Sequence, residues 1–231
     1  GLVKRNRRQS QIKYETILAS MKDMNYAGVG LGPEELRFGA DIFLQLHNPE
    51  PQAPNTTPTF LAANLLILET PGLGKTAFKI VEVGGVKMAV TSILSKSQAE
   101  KFPDITWQEP AKVLPDVIQQ MQAAKPDLMI LLSQSEKEES KALAEKFPQF
   151  DLLLTAGGVE DPLGEPTFIG NTMMVDVGHK GKVPEWSVTT LIRLTKQILR
   201  NASASRSLSW INSGSKIPRK WPSTCSSTRI V

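Results

Sequence analysis

The chain has 231 residues, of which 40% are apolar and 22% are charged, and its formal net charge is +4. These proportions are ordinary for a globular protein and exclude disorder throughout. No apolar run approaches the roughly 20 residues that a membrane-spanning helix needs, and a single cysteine, Cys225, excludes an internal disulfide framework. The length suffices for one α/β domain, with or without an appended tail.

The first part of the chain is predicted to alternate between helix and strand. Apolar residues at helical spacing predict a helix from Tyr14 to Asn25, which leads into a short strand from Ala27 to Leu31. After a short loop, a second helix is predicted from Glu34 to Leu46, with acidic residues in its first turn, where the helix dipole favours them. The proline-punctuated segment 47–59 is predicted to be a loop.

The middle of the chain carries the pattern of a buried sheet. The mostly apolar run from Phe60 to Leu68 predicts a strand that is buried on both faces. Strands are predicted from Phe78 to Val83 and from Val86 to Ile93. They flank the two-residue connection Gly84–Gly85, which is typical of a β-hairpin.

From residue 109 onward, predicted strands and helices alternate. Helices are predicted from Glu109 to Ala124 and from Glu136 to Phe147. The predicted strands are Asp127–Ser133, Asp151–Thr155, Thr172–Val177 and Trp186–Leu194. This order is typical of parallel βαβ units with right-handed crossovers, so the predicted fold class is α/β.

The character of the sequence changes after about residue 200. Residues 201–231 are rich in serine and lack hydrophobic periodicity, so they are predicted to be an irregular tail, and residues 1–200 the domain. The alternative is that this stretch is not a true continuation of the domain, for instance because of a shifted reading frame. Cys225 lies in this tail and is interpreted as incidental rather than nucleophilic.

Much of the positive charge lies near the two ends of the chain. The basic residues concerned are Lys4, Arg5, Arg7, Arg8, Lys13, Arg206, Lys216, Arg219, Lys220 and Arg229. Such clusters could contact phosphate or anionic lipid, but no aromatic side chain interleaves with the first cluster as a nucleic-acid platform requires. Solvated basic ends are therefore predicted in preference to nucleic-acid binding.

The first ten residues lack a following apolar stretch, so no signal peptide is expected there.

Five short motifs occur in a fixed order along the chain. They are MNYAGVGLGPEELRFG at 24–39, TFLAANL at 59–65, GVKMAVTSIL at 85–94, DLMILLSQ at 127–134 and DLLLTAGGV at 151–159. In this order they resemble the catalytic domain of calcineurin-like metallophosphoesterases, in the 5'-nucleotidase and UDP-sugar hydrolase branch. A closing family segment has a counterpart at Val175–Lys182. The resemblance implies a layered α-β-β-α sandwich with mixed sheets, and a pair of metal ions that orient a phosphate ester and activate water.

The resemblance also implies where metal ligands would stand. At the family's GNHE tetrad, Pro33 replaces the ligand asparagine and Glu34 replaces the histidine, whereas Glu35 is kept. Proline offers no side-chain ligand, so this segment predicts a loop with the shape of the family's loop but without its metal ligands. The family's first motif, with its aspartates, would lie upstream of residue 1.

Two later motifs differ from the family in the same way. Gln134 stands where the family strand ends in histidine, and Gly157 and Val159 stand at the two histidines of GGHSH. An amide oxygen is a much weaker ligand than an imidazole, and glycine and valine offer no side-chain ligand at all. The chain's two histidines, His47 and His179, are interpreted as ordinary surface residues. These substitutions predict that two-metal hydrolysis is lost.

Three alternative sites compete with simpler interpretations. Glu34, Glu35, Glu160 and Asp161 would form a carboxylate site for Mn²⁺, Mg²⁺, Zn²⁺ or Ca²⁺ if they converged, although acidic residues at helix starts and in turns more often act as caps. The run GLGKT at 72–76 tempts a phosphate-binding-loop interpretation, but it lacks the first glycine of that motif and precedes a predicted strand. A turn between strands is predicted there, and likewise a plain loop at GGVED, 157–161, rather than an anion-binding cradle.

The predicted function is that of a non-catalytic binding or structural module with a degenerate metallophosphoesterase site. Its partners would be a phosphate-containing small molecule or other domains of a larger protein. The alternative is an active metal-dependent phosphohydrolase that acts on nucleotides or related phosphate esters through a rearranged set of ligands. The resemblance implies an extracytoplasmic location, because members of the 5'-nucleotidase branch are commonly exported.

Overall fold

The computed structural model describes residues 8–47, 58–157, 166–176 and 229–230. Its helices are α1 (Arg8–Asp23), α2 (Pro33–Leu36), α3 (Ala40–His47), α4 (Lys96–Ala99), α5 (Pro110–Ala123) and α6 (Lys137–Lys146). Its strands are β1 (Tyr26–Gly30), β2 (Thr59–Leu61), β3 (Leu65–Ile67), β4 (Phe78–Val83), β5 (Val86–Leu94), β6 (Ile105–Trp107), β7 (Leu128–Glu136), β8 (Leu152–Gly157), β9 (Thr167–Ile169), β10 (Thr172–Asp176) and β11 (Arg229–Ile230).

The largest sheet has six strands in the order β4-β5-β7-β8-β10-β9. Strands β5, β7, β8 and β10 are parallel neighbours, whereas β4 and β9 pair antiparallel at the two edges. Parallel neighbours need crossover connections, which α5 provides between β5 and β7 and α6 provides between β7 and β8. The prediction of an α/β fold with a mixed sheet is confirmed.

The predicted hairpin joins β4 to β5. Gly84 and Gly85 adopt left-handed backbone conformations, with φ angles of 60° and 80°. Two-residue hairpin turns commonly need this conformation, and glycine adopts it without a Cβ penalty. The hairpin prediction is therefore confirmed, together with its physical basis.

A smaller parallel sheet, in the order β11-β1-β2, lies against the larger one. The approach is close at Gly30 of β1, where an added Cβ would lie 2.8 Å from Ser92 Oγ and 3.5 Å from a Leu132 methyl carbon. A side chain at this position would require the Ser92 hydroxyl to move. Strands β3 and β6 form a separate antiparallel pair.

Three hydrophobic clusters fill the spaces between the layers. The cluster between the two sheets includes Leu61, Val90, Leu128, Ile130, Leu132, Leu152 and Met173. The cluster beneath α5 and α6 includes Leu114, Met121, Leu131, Leu143, Phe147 and Leu153. The cluster beneath α1 and α3 includes Tyr14, Leu18, Phe43, Phe60 and Leu65. The order of layers is therefore helices, sheet, sheet and helices, as the family resemblance implied.

The helix predicted from Glu34 to Leu46 is wrong as a single element. It is divided into α2 and α3 at Gly39, whose φ is 83°. The Gly39 N–H donates to Leu36 O at 3.0 Å, which closes the end of α2. The left-handed backbone at Gly39 ends one helix and allows the next to begin in a new direction.

The strand predicted from Phe60 to Leu68 is also wrong as a single element. It is divided into β2, which pairs with β1, and β3, which pairs with β6. The intervening residues turn around the buried side chain of Asn64. An apolar run cannot by itself show where a chain leaves one sheet and enters another.

Several short elements were not predicted. They are α4, β6, β9 and β11, each with two to four residues, which is too short for a hydrophobic period to be recognised. Strand β11 lies in the segment predicted to be an irregular tail and pairs in parallel with β1 through Arg229 and Ile230. The strand predicted at 186–194 lies outside the described residues.

Candidate functional site

The candidate site lies where the carboxyl ends of strands from both sheets meet. Gly32 follows β1, Gln134 lies near the end of β7, and Leu94 of β5 pairs with Gln134. An added Cβ on Gly32 would lie 3.1 Å from Glu35 Oε2 and 3.9 Å from Gln134 Cδ. The fold therefore brings Gln134 beside Gly32 and Glu35, which lie about 100 residues earlier in the sequence.

Pro33 and Glu34 form the first turn of α2. Pro33 occupies a first helical position, where its missing N–H costs no hydrogen bond. Glu34 Oε2 accepts a hydrogen bond from Arg37 Nη1 at 3.1 Å, in an ion pair along the surface of the helix. The Glu34 carboxylate is thus used within α2, in a partly exposed setting where such a pair contributes little stability.

Glu35 is the buried carboxyl of the site, with 7% of its surface exposed. Its Oε2 accepts a hydrogen bond from the Gly32 N–H at 3.1 Å, so the side chain satisfies one of the free donors at the start of α2. Glycine has no side-chain oxygen, so the reciprocal bond of a full capping box cannot form. Burial raises the pKa of the Glu35 carboxyl, although the hydrogen bond from Gly32 acts in the opposite direction.

Tyr14 of α1 forms part of the surroundings of Glu35. Its side chain is fully buried, and its ring centroid lies 5.2 Å from that of Phe38. Burial raises the pKa of the Tyr14 phenol, and the nearby Glu35 carboxyl raises it further. Helix α1 therefore contributes a buried aromatic side chain to the surroundings of Glu35.

A buried hydroxyl cluster, Ser133, Ser135, Ser140 and Thr155, supports the end of β7. Within it, Ser133 Oγ lies 2.6 Å from Ser135 Oγ and 2.9 Å from Ser140 Oγ, and Ser140 Oγ donates to Thr155 Oγ1 at 2.9 Å. Ser133 and Ser135 alternate with Gln134 along the strand, so the cluster and Gln134 lie on opposite faces. The cluster therefore fixes the strand end from which Gln134 reaches Gly32.

Sequence reasoning missed this cluster. The available signal was the alternation Ser133, Gln134, Ser135 at the end of an apolar strand, followed by Ser140 in the first half of a helix. Polar residues of this kind are usually interpreted as a solvated strand end. Only the packing of α6 on β7 and β8 shows that they are buried together.

Sequence reasoning also missed Asn64. Its side chain is fully buried, and its Nδ2 donates to Leu94 O at 2.8 Å and to Gln108 O at 3.3 Å. Its Oδ1 accepts from the Leu94 N–H at 3.0 Å. Asn64 thereby joins the segment after β2 to the carboxyl end of β5, which lies beside Gln134.

The remaining predicted positions lie at the end of a described range or outside the described residues. Gly157 is the last residue of β8 and pairs with Glu136 after an irregularity in the register. Val159, Glu160, Asp161 and His179 lie outside the described residues, so the carboxylate site that would combine Glu34 and Glu35 with 160 and 161 stays a prediction. His47 ends α3, as expected for a residue at the end of a helix.

The turn prediction for the run GLGKT is confirmed. Gly72 and Gly74 have φ angles of 73° and 66°, and Thr76 forms a bridge with Leu61 beside β2. The segment continues into β4, whereas a phosphate-binding loop would continue into a helix. Lys75 is buried in this turn, and its Nζ donates to Ala62 O at 2.8 Å.

Two structural features of the described residues bear on metal and membrane binding. No group of three or more histidine, cysteine, aspartate or glutamate residues among them could hold a metal ion. None of the described helices combines the length and the apolar character that crossing a bilayer requires.

A pocket of about 250 Å³ between the α2–α3 turn and residues 102–105 is lined mainly by apolar side chains and includes neither Glu35 nor Gln134.

The two stacked sheets and the outer helices are shared with known structures. No protein-family model and no curated protein matches the chain. Solved structures do match, and they give the chain the fold of calcineurin-like metallophosphoesterases. The resemblance stated from the motifs is thereby confirmed at the level of the fold.

Within that class the similarity includes the 5'-nucleotidase branch. The 5'-nucleotidase precursor of Thermus thermophilus matches with a TM-score of 0.60 and 15% identity, over 74% of this chain and 38% of that one. The sulfate thiohydrolase SoxB of the same organism matches with a TM-score of 0.60 and 19% identity, over 77% and 32%. The calcineurin-like phosphoesterase YfkN of Bacillus subtilis matches with a TM-score of 0.54 and 14% identity, over 81% and 74%. The chain thus spans about a third of the length of the first two structures.

Proposed function

We propose that this chain is a binding or structural module that keeps the metallophosphoesterase fold without running metal-dependent phosphoester hydrolysis. The observation that carries the proposal is the burial and hydrogen bonding of the Glu35 carboxyl. Its buried carboxyl accepts a hydrogen bond from the Gly32 N–H. A carboxyl group coordinates a metal ion in its ionised form, and burial of Glu35 disfavours that form.

The neighbouring positions support the same proposal. Glu34 is paired with Arg37, Pro33 has no side-chain donor or acceptor, and Gln134 offers an amide. A hydrolytic pair of metal ions needs several carboxylate and imidazole ligands that converge on one point. The three side chains at this strand edge supply few of these groups.

The proposal is tested by metal content and turnover measured on the same preparation of the whole chain. Metal is quantified by inductively coupled plasma mass spectrometry after incubation with Mn²⁺, Mg²⁺ or Zn²⁺ and removal of the excess. Turnover is measured with p-nitrophenyl phosphate and bis(p-nitrophenyl) phosphate in each metal. We expect substoichiometric metal and no turnover above the blank that contains metal but no protein.

A pair of variants decides whether any measured turnover belongs to this site. Glu35→Gln removes the candidate carboxylate, and Glu82→Gln is the matched control because Glu82 is exposed on β4. Stoichiometric metal and turnover that falls by about 10- to 100-fold in Glu35→Gln but not in Glu82→Gln would overturn the proposal. That result would establish the alternative, an active phosphohydrolase with a rearranged ligand set.

A further inference from the structure

The pocket beside the α2–α3 turn has a buried apolar floor and a more exposed rim. Its apolar lining side chains are those of Leu36, Phe38, Phe43, Ile67, Phe102 and Ile105. The first four are almost completely buried, whereas Phe102 and Ile105 are partly exposed. The pocket has a volume of about 250 Å³, and an apolar cavity of about 150 Å³ is enough to hold a benzene ring. The space therefore suits a ligand with a single ring.

Backbone hydrogen bonds fix the two sides of this pocket. On one side, the Gly39 N–H donates to Leu36 O and the Phe43 N–H donates to Gly39 O, both at 3.0 Å. On the other side, the Ile105 N–H donates to Phe102 O at 3.2 Å, which closes a turn. A Cβ added to Gly39 would meet no atom within 4 Å, so the space beside this turn is unfilled. The pocket is therefore preformed, and a ligand would bind without ordering its walls.

The charged groups at the pocket favour a cation. Arg37 and Asp104 are the two charged residues that line it. Arg37 Nη1 donates to Glu34 Oε2 at 3.1 Å, so the positive charge already has a partner. Asp104 Oδ2 accepts one long hydrogen bond, from the Ala40 N–H at 3.5 Å. Asp104 forms no ion pair with any residue that the structure describes.

We propose that this pocket binds a small ligand that combines one apolar ring with an attached ammonium group. The ring would displace water from the apolar floor, and the ammonium would lie near the exposed Asp104 carboxylate at the rim, where it keeps part of its hydration. Neither Glu35 nor Gln134 lines the pocket. The inference therefore goes beyond the proposed function and does not rest on it.

The test is titration of the whole chain with benzylamine, followed by nuclear magnetic resonance of ¹³C-labelled isoleucine and leucine methyl groups. The methyl signals of Ile67 and Ile105 are expected to shift and to saturate, with a dissociation constant on the order of 1 mM for a ligand of this size. The methyl signals of Leu114 and Leu153 report on the separate cluster beneath α5 and α6 and are expected to stay unchanged.

A neutral probe and a matched pair of variants test the role of Asp104. Benzyl alcohol has the same ring without the charge, and wild type is expected to bind it about 3- to 5-fold more weakly than benzylamine, as for one partly exposed ion pair. Asp104→Asn keeps the shape of the side chain and should abolish this preference. Asp116→Asn, which removes an exposed carboxylate from α5, should retain it.

Three results would overturn the inference. The first is the absence of a saturable shift at Ile67 and Ile105, and the second is a shift of equal size in both hydrophobic clusters. The third is equal affinity of wild type for the two probes, or a preference for benzylamine that persists in Asp104→Asn. The comparison of the two probes on wild type needs no variant, so it decides the matter even if Asp104→Asn does not fold, as judged by circular dichroism.

Discussion

The strongest test of the fold around the site is the removal of the Asn64 side chain. Asn64 is fully buried and holds the backbone N–H and C=O of Leu94, together with the C=O of Gln108. In Asn64→Ala, the Leu94 N–H loses its side-chain acceptor in a buried position. The Leu94 oxygen is less affected, because it also accepts from Trp107 Nε1 at 3.0 Å.

The expected cost follows from these contacts. An orphaned buried donor costs roughly 1–3 kcal/mol, and the loss of the long bond to Gln108 and of the packed side-chain atoms adds about 1 kcal/mol. We therefore expect Asn64→Ala to lower the free energy of unfolding by about 3 kcal/mol. The exposed Gln120→Ala in α5 removes an amide from the surface and is expected to change it by less than about 0.5 kcal/mol.

Asn64→Asp separates the two roles of the amide. The introduced carboxyl keeps an oxygen for the Leu94 N–H but, when ionised, loses the donor and faces the Leu94 carbonyl. Burial should raise its pKa in the folded state above the unfolded value of about 3.9. The variant should therefore be most stable below about pH 4 and lose stability, relative to wild type, as the pH rises through the folded-state pKa.

The assay is urea unfolding followed by tryptophan fluorescence and circular dichroism at pH values from about 4 to 8. Equal slopes against urea for all variants would show that the comparison reports stability alone. The reasoning is refuted if Asn64→Ala costs no more than Gln120→Ala. It is also refuted if Asn64→Asp shows the same pH dependence as wild type.

Three further predictions test other parts of the structure. Gly30→Ala should destabilise the protein by about 1–3 kcal/mol through contact with Ser92 Oγ, and Ser92→Ala in the same chain should recover part of that loss in a double-mutant cycle. Additive effects would contradict the close approach of the sheets. Ser140→Ala should cost about 1–3 kcal/mol in urea unfolding, because it leaves Ser133, Ser135 and Thr155 with fewer hydrogen-bond partners; a neutral effect would show that the hydroxyl cluster is not needed. Burial lowers the pKa of Lys75 from 10.5 to about 8, so between these pH values the unfolded chain binds more protons than the folded chain and stability rises with pH. In phosphate-free buffer, wild type should gain up to about 3 kcal/mol over this range relative to Lys75→Met, at about 1.36 kcal/mol per pKa unit; parallel curves would contradict this.

Local signals predicted the longer elements well. Helices α5 and α6 follow the apolar spacing of their own sequences, and the β4–β5 hairpin follows from Gly84–Gly85. These elements could be predicted because helix periodicity and turn chemistry depend on residues only a few positions apart. The split at Gly39 also had a local signal, a glycine in the middle of an otherwise helical pattern, but a single glycine does not always end a helix.

The sequence indicated positions in the candidate site, whereas only the structure showed the contacts of their side chains. The motif comparison indicated Pro33, Glu34 and Gln134 as positions of interest, and the fold brings Gln134 beside Gly32. What the side chains do there could not be read from the motifs. The Glu35 carboxyl accepts a hydrogen bond from the Gly32 N–H, and Glu34 forms an ion pair with Arg37. Both contacts depend on how α2 begins and packs.

The sequence alone determined the alternation of strands and helices, the hairpin and the resemblance to the metallophosphoesterase fold. Only the tertiary structure decided that Asn64 holds the end of β5, that four hydroxyl groups are buried together behind Gln134, and that Lys75 is buried. The physical reason is that burial and hydrogen-bond partners of polar groups depend on segments distant in the chain. The same asparagine, serine or lysine on a solvated loop would have an identical local sequence and none of these consequences.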